Sequence, residues 1–397
     1  MLQPTGISFI LVTLFLDGLS IGISNPILPK LIEEQVINLS TASYYFGAIS
    51  AIHALMLFIF SAIQGSLSDY FGRKPLLLFS LLGTGLGQLL LAFAPNFYWM
   101  LVAQFLNGST GACLAVVFAS IADLTTPQNR AKSFGLVGVT LGIAWVISPA
   151  LGGLLSLLGL RVPFLVTAGV TLLNFIYGLL FVRESHPPIC ERDFSWSQVN
   201  PFNLLKRLYQ NSIISTLAVV ILCIDLALQC FVSTWVLFTT YKFHWSLLQA
   251  SLSLTLLGLM TAITQGKVIY SLIDRFGERQ TIIFGLVFSL IGYLLYILVD
   301  QGWMMYGVII LNSFDFLTKP IAQGLLSRYI HPSEQGVIQG ALASQTALAA
   351  ILGSLLATNL FGYFTSFQAP LLLPEAPLIV GILLFAVALW LNGTKIS

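Results

Sequence analysis

Three aspartates and a lysine stand inside long apolar runs of this chain: Asp17, Asp225, Asp315 and, four residues further on, Lys319. An ionised side chain in hydrocarbon costs several kcal/mol unless it is paired or reaches water, so each is a candidate for handling a proton or a cation. Desolvation favours the neutral carboxyl and a nearby cation favours the charged one, so a carboxylate set between them can exchange a proton for a cationic substrate. Asp315 and Lys319 are spaced i,i+4, where an ion pair can form on one helix face, either as a structural pair or as a pair that orients substrate. Asp17 and Asp225 have no such neighbour, and shifting Asp17 by 205 positions lands within one helical turn of Asp225. The coupling of protons or cations is therefore assigned to Asp17 and Asp225. Substrate lining is assigned to Asp315 and Lys319 with Gln104, Asn107, Gln229, Gln323 and Trp235.

The elements that must position these groups follow from composition. The chain is 57% hydrophobic and 8% charged, against roughly 25% charged in soluble domains, so it is a polytopic membrane protein. Backbone groups in lipid must be paired within the segment, which selects helices of about 20 apolar residues. Twelve runs meet that length, near 7–28, 42–64, 75–94, 98–122, 133–156, 162–182, 212–239, 248–270, 280–299, 303–327, 336–361 and 374–392. The first is too long for a cleaved secretion signal, lacks a basic flank and carries Asp17 at its centre. Alternate loops hold twelve Lys and Arg residues, among them Arg73, Lys74, Arg130 and Lys132, whereas the others hold Lys30, Arg161 and Lys242. Basic residues stay on the cytoplasmic side, which places both termini inside. The longest connection, 183–211, separates halves 1–182 and 212–397; its segments 194–196 and 203–209 read either as surface-lying or as solvated loop.

The halves are also marked by a repeated loop. Gly65-Ser-Leu-Ser-Asp69-Tyr-Phe-Gly72-Arg73-Lys74 is echoed by Ser271-Leu-Ile-Asp274-Arg-Phe-Gly277-Glu-Arg279, 205 positions later. Gly65 allows close approach of helices, Gly72 a tight turn, and Asp69 can pair with an arginine or cap the following helix. Gly65, Asp69, Gly72, Arg73, Lys74, Asp274 and Gly277 therefore read as a conformational gate or, more plainly, as a loop that sets topology. Gly135, Gly138, Gly142 and Gly152 around Ser148-Pro149, echoed by Gly336, Gly340 and Gly353, suit close helix packing at moving or static interfaces.

Other chemistries lack their residues. The basic residues are spread over loops and form no nucleic-acid patch. Cys113, Cys190, Cys223 and Cys230 have neither disulfide nor metal spacing, and His53 is a lone imidazole on an apolar helix that reads as packing. There is no phosphate loop, nucleophile elbow or HExxH helix, so neither an enzyme, a cofactor nor ATP-driven pumping is indicated.

The loop from Gly65 to Lys74 resembles the G-x-L-x-D-x-x-G-R-K/R pattern of the major facilitator superfamily, in particular the tetracycline/proton antiporters and related drug exporters. The resemblance extends to Asp17-Gly-Leu-Ser-Ile-Gly22, Pro26-Ile-Leu-Pro29 and Trp235-Val-Leu-Phe-Thr239. It implies an all-α fold of twelve helices in two pseudo-symmetric six-helix bundles. The first, fourth, seventh and tenth helices would line a cavity opened alternately to each side. The chain departs from the tetracycline exporters at Gln104, where they carry an arginine, and at Gly87, Thr261 and Ser289, where they carry an acid, a histidine and an acid. Ser148-Pro149 likewise replaces their Gly-Pro pair.

These readings converge on a monomeric, proton-coupled secondary transporter of the bacterial inner membrane that exports drug-like or amphipathic cations. The alternatives are a proton-coupled importer of a small metabolite such as an amino acid or siderophore and, from another class, a non-transporting receptor or scaffold. A receptor would carry a long tail or inserted domain.

Overall fold

Serine and threonine are frequent in these apolar runs, and the way their hydroxyls are satisfied shows why the runs stay helical. Ser20 donates to Leu16 O, Thr234 to Cys230 O and Thr239 to Trp235 O, each within its own helix. The polar group is thus paired inside the segment, as lipid requires. The computed structural model describes residues 4–111, 113–185, 205, 208–209, 212–329 and 335–395. Among them, ten helical stretches are long and apolar enough to cross a membrane, making this an all-α, multi-pass membrane protein. Phe93, Leu180 and Trp390, each more than 60% exposed, belong to the apolar surface that such a chain turns toward lipid.

Contacts divide the chain into two compact units, Met1–Gln35 with Ile52–Asn200, and Val36–Ala51 with Pro201–Ser397. The first contains α1 (Pro4–Ser24), α2 (Leu28–Glu33), the later part of α3 (Leu39–Phe71), α4 (Arg73–Phe93), α5 (Phe97–Thr110), α6 (Cys113–Leu124), α7 (Pro127–Ser156) and α8 (Val162–Phe181). Here α1 packs on α7 and α8, and α4 on α5 and α8. Ile10, Leu14, Leu81, Val116 and Ile121 are among the apolar residues at its centre.

The second unit contains α9 (Ser212–Phe243), α10 (Leu247–Ile263), α11 (Ile269–Leu298), α12 (Gly302–Asn312), α13 (Thr318–Arg328), α14 (Gln335–Phe364) and α15 (Ala376–Lys395). Its pattern follows the first: α9 packs on α14 and α15, and α11 on α15. The early part of α3 groups with it because Ser43 donates to Thr358 O at 2.6 Å and Gly362 packs on Tyr44.

Four of the expected runs take a different form. The eighth and ninth follow one another without an extended loop from Leu247 to Leu298, with a π-helical turn at Thr264–Val268 and a kink at Gly277 that separates two helices. The tenth is interrupted: α12 and α13 are joined by a 3-10 turn, Ser313–Leu317. The fourth is divided at the corresponding place, since α5 ends at Thr110 and α6 begins at Cys113. Residues 186–204, 206–207 and 210–211 lie outside the described residues, as do 1–3 and 396–397, and with them all of segment 194–196 and part of 203–209; within the latter Leu208 is buried and the Tyr209 hydroxyl donates to Gln345 Oε1 at 2.9 Å.

The glycine readings need correction. A Cβ added at Gly65, Gly135, Gly138 or Gly142 would meet nothing within 4 Å, because these glycines sit on helix faces without a close neighbour. Close approach occurs instead where Gly152 meets the backbone of Ile23 and where Gly353 meets Gln229 Cβ at 2.8 Å. It also occurs where Asn107 lies over Gly87 and Asn312 lies over Gly292, positions related by the same 205-residue offset. The Oδ1 atoms of both asparagines are buried without an N–H or O–H partner and face a glycine, a weak C–H···O contact available only where no Cβ intervenes.

The two seats differ in how much they can yield. A Cβ at Gly292 would lie 2.8 Å from Asn312 Cβ, which no side-chain rotation relieves, whereas at Gly87 the overlap is with the amide end of Asn107. Gly292→Ala should therefore destabilise by roughly 1–3 kcal/mol or more, and Gly87→Ala by less. Gly138→Ala should be neutral or stabilising by up to about 1 kcal/mol, from helix propensity. Unfolding midpoints in detergent check the order; equal effects at Gly292 and Gly138 would overturn it.

Candidate proton and substrate sites

Asp17 sits in α1 at a buried position, with the thiol of Cys113, the first residue of α6 after the division of the fourth run, as its polar neighbour. Among the described residues no cation pairs with it. Polar contacts lie along the same helix: Thr171 donates to Ser20 Oγ at 3.0 Å, Gln88 Nε2 to Ser24 Oγ at 3.3 Å, and Asn174 Nδ2 to Thr13 O at 2.9 Å. The helix is held against α7 through small residues, with Gly18 facing Leu141 and Ala144, and Gly22 facing Ser148. The motif glycines of α1 and the Ser148-Pro149 pair thus meet in one interface that fixes where Asp17 points. Gln104 and Asn107 lie buried on α5, where Asn107 Nδ2 donates to Gln104 Oε1 at 3.3 Å.

In the second unit Asp225 and Asp315 are treated differently. Lys319 Nζ donates to Asp225 Oδ1 at 2.5 Å, and the Thr346 hydroxyl donates to Asp225 Oδ2 at 2.6 Å. The i,i+4 pair expected between Asp315 and Lys319 is not formed. The 3-10 turn winds more tightly than an α-helix and carries Asp315 away from the face of Lys319. Asp315 instead accepts from Ser289 Oγ of α11 at 2.5 Å. Gln265, in the π-helical turn, donates to Phe316 O at 3.0 Å and so ties the two helix irregularities together. Trp235 is buried against Phe231 and Tyr296, and its indole N–H donates to Ser253 at 2.9 Å. Gln229 donates to Ser233, and Gln323 is half-buried on α13.

The repeated loops have a shared construction. Gly72 has φ +98° and Gly277 φ +77°, conformations that demand glycine, and each opens a helix. Arg73 pairs with Asp69 at 2.6 Å and with Asp123 at the end of α6 at 2.9 Å, and donates to Ser68 Oγ. The residue 205 positions after Arg73 is Glu278, and the residue 205 positions after Asp123 is Arg328; these two form an ion pair at 2.6 Å. The same bridge is built twice with its charges exchanged. Lys74 donates to Leu179 O, near the carboxyl end of α8, and its counterpart Arg279 to Asn392 O and Gly393 O, near that of α15. Cations there answer the carbonyls left unpaired by the last helical turn. Asp69 does not cap α4; Glu184 does, accepting from Arg73 N at 2.8 Å and Lys74 N at 3.1 Å. Asp274 is exposed.

Sequence reasoning missed Glu184 and Thr346, read Cys113 as having neither disulfide nor metal spacing, and noted Ser289 only as a departure from the tetracycline exporters; all are ordinary residue types far from their partners in the chain. The Glu278–Arg328 bridge was discoverable, because the repeat offset applied to both Arg73 and Asp123 yields it. Among the described residues no group of histidine, cysteine and acidic residues is placed to hold a metal.

The family model of the Major Facilitator Superfamily matches residues 10–266 and, a second time, 217–397. The class C tetracycline resistance protein of Escherichia coli is 36% identical over 352 residues, 89% of this chain and 88% of that protein. The class H tetracycline resistance protein of Pasteurella multocida is 34% identical over 371 residues, 92% and 91% of the two chains. In fold, the crystal structure of the human organic anion transporter MFSD10 is similar over 98% of this chain and 99% of its own, with a TM-score of 0.71 at 21% identity.

Two consequences concern stability. Lys319→Met leaves Asp225 buried without its cation and should destabilise by about 3–5 kcal/mol, most of which Asp225→Asn in the same chain should restore. Unfolding in detergent measures both, and a double variant as weak as the single one would show that the pair is not the cause. Arg73, 10% exposed in its side chain and holding three partners, should be far more sensitive to alanine than Arg328 at 69%. The exposed bridge should be worth no more than about 1 kcal/mol. Equal losses for Arg73→Ala and Arg328→Ala would contradict this.

Proposed function

The chain belongs to the Major Facilitator Superfamily and is a secondary transporter, and we propose that it is a proton-coupled exporter of drug-like, amphipathic cations. It works by alternating access, with twelve spans in two six-helix halves joined by a cytoplasmic linker, as a monomer in a bacterial inner membrane with both termini inside. The observation that carries the reading is Asp17, a buried carboxyl in a membrane helix whose described neighbours include no cation. Such a group is free to take a proton or a cationic ligand in turn, which is what exchange of one for the other needs. The names of the relatives, which speak of tetracycline resistance, support export of an antibiotic-like compound. Gln104, Gly87 and Thr261 stand where the resemblance places charged or basic groups, and this favours a substrate other than tetracycline.

The Arg73 and Glu184 network belongs to switching on this reading. It ties the start of α4 to Asp123 and to the end of α8, a clasp that can release without touching substrate.

Proteoliposomes with an imposed pH gradient test the assignment, with ethidium and tetracycline as separate probes. Wild type should move protons in response to ethidium and little or not at all to tetracycline, and Asp17→Asn should abolish that movement. Substrate-dependent proton flow that survives in Asp17→Asn would remove Asp17 from the mechanism; a response to tetracycline alone would correct the substrate class.

A further inference from the structure

The second unit holds two buried aspartates, and their surroundings suit them to opposite tasks. Asp225 is bonded through Oδ1 to Lys319 and through Oδ2 to Thr346. A proton placed on it would leave the Lys319 ammonium without its counter-charge in a setting where Asp225 is 3% exposed. Both oxygens of Asp225 are therefore committed to those partners.

Asp315 is 6% exposed, and among the described residues no cation reaches it. The elements packed on its 3-10 turn confirm that isolation. From α11 come Ser289, Tyr293 and Tyr296, while α10 carries no ionisable residue. On α12, Tyr306 donates to Gln249 O; Lys267 of the π-helical turn is exposed; Lys319 of α13 is committed to Asp225. Tyr293 donates to Ala227 O and so is also engaged elsewhere.

The Tyr296 hydroxyl is buried without a hydrogen-bond partner, so the group bonded to Asp315 is Ser289, which has one proton and two acceptors in reach, Asp315 Oδ1 at 2.5 Å and Gly285 O at 2.9 Å. We propose that Asp315 and Ser289 form the proton-carrying site of the second unit, with the Ser289 hydroxyl turning between its two acceptors as Asp315 gains and loses a proton. When Asp315 is an anion, the hydroxyl donates to it. When a proton arrives from water, the new carboxyl O–H donates to Ser289 Oγ, and the hydroxyl hydrogen turns to Gly285 O. Both states are hydrogen-bonded, so neither leaves a buried donor or acceptor orphaned, a penalty of about 1–3 kcal/mol that would otherwise oppose the transfer.

The backbone around the site is suited to respond. Asp315 lies within the 3-10 interruption, and the π-helical turn is hydrogen-bonded to the next residue, Phe316. Short 3-10 and π segments inside long helices mark places where a helix can change register. In each unit an acid without a cation therefore stands at the division of its fourth run: Asp17 against Cys113 in the first, Asp315 in the second.

The inference rests on the proton-coupled reading for its purpose, but its test does not need a substrate. Infrared titration of the lipid-reconstituted protein follows the C=O stretch of protonated carboxyl groups as pH is varied. Asp315→Asn should lose a titrating band that persists in Asp225→Asn/Lys319→Met, where both charges are removed together. Ser289→Ala should displace the midpoint of that band and Ser289→Thr, which keeps the hydroxyl, should return it. The Ser289 pair also reads the site with its carboxyl in place should Asp315→Asn fold poorly. A band unchanged in Asp315→Asn, lost in the Asp225/Lys319 double variant, or indifferent to Ser289→Ala would overturn the proposal. Loss of ethidium-driven proton flow without these spectral changes would leave the transport reading standing and this one refuted.

Discussion

Charge in hydrocarbon must be answered by a partner within reach, and the placement of Lys319 is the answer on which the second unit depends. Its ammonium could have served Asp315, four residues earlier, or Asp225 on α9. By bonding Asp225 at 2.5 Å it binds α13 to α9 and recruits Thr346 from α14 to the same carboxylate. Three helices meet at that point. The choice also leaves Asp315 to a hydroxyl alone, so one pairing both stabilises the bundle and creates the group with the freedom to titrate.

Helix geometry decides this choice. Four residues of α-helix turn by about 400°, close to a full revolution. At about 120° per residue, as in a 3-10 turn, they would end a third of a turn past it. The rule that predicts an i,i+4 pair is sound, but its premise of α-helical winding fails over Ser313–Leu317. Nothing in Ser-Phe-Asp-Phe-Leu announces that winding, and the residue before it, Asn312, packs over Gly292 of α11.

The membrane class, the run positions and the repeat were legible because they are written in composition and spacing. Asp17 and the turn glycines at 72 and 277 were legible for the same reason, since an acid in an apolar run and a glycine at positive φ have few explanations. Partners were not. Cys113 lies 96 residues from Asp17 in the chain, Glu184 lies 111 residues from the amide it caps, and Ser289 is one serine among many. Such contacts arise from helix packing, which hydropathy reports only as a face. The misread glycines at 65, 135, 138 and 142 make the converse point: small residues permit close approach without requiring it.

The repeat offset becomes more informative when it is applied to pairs. Asn over Gly recurs with both residues unchanged, because that seat is steric and allows few substitutes. The bridge at the loops recurs with its charges exchanged, because an ion pair needs opposite signs but not a particular order. The exchange still has a cost in connectivity. Arg73 offers several donors and gathers Asp69, Ser68 and Asp123 at once, whereas Glu278 only accepts and stands four residues from the like charge of Asp274. The first loop is therefore the more tightly held, and it adds Glu184, whose carboxylate spans the amides of Arg73 and Lys74. The clasp is thus firm in one unit and looser in the other.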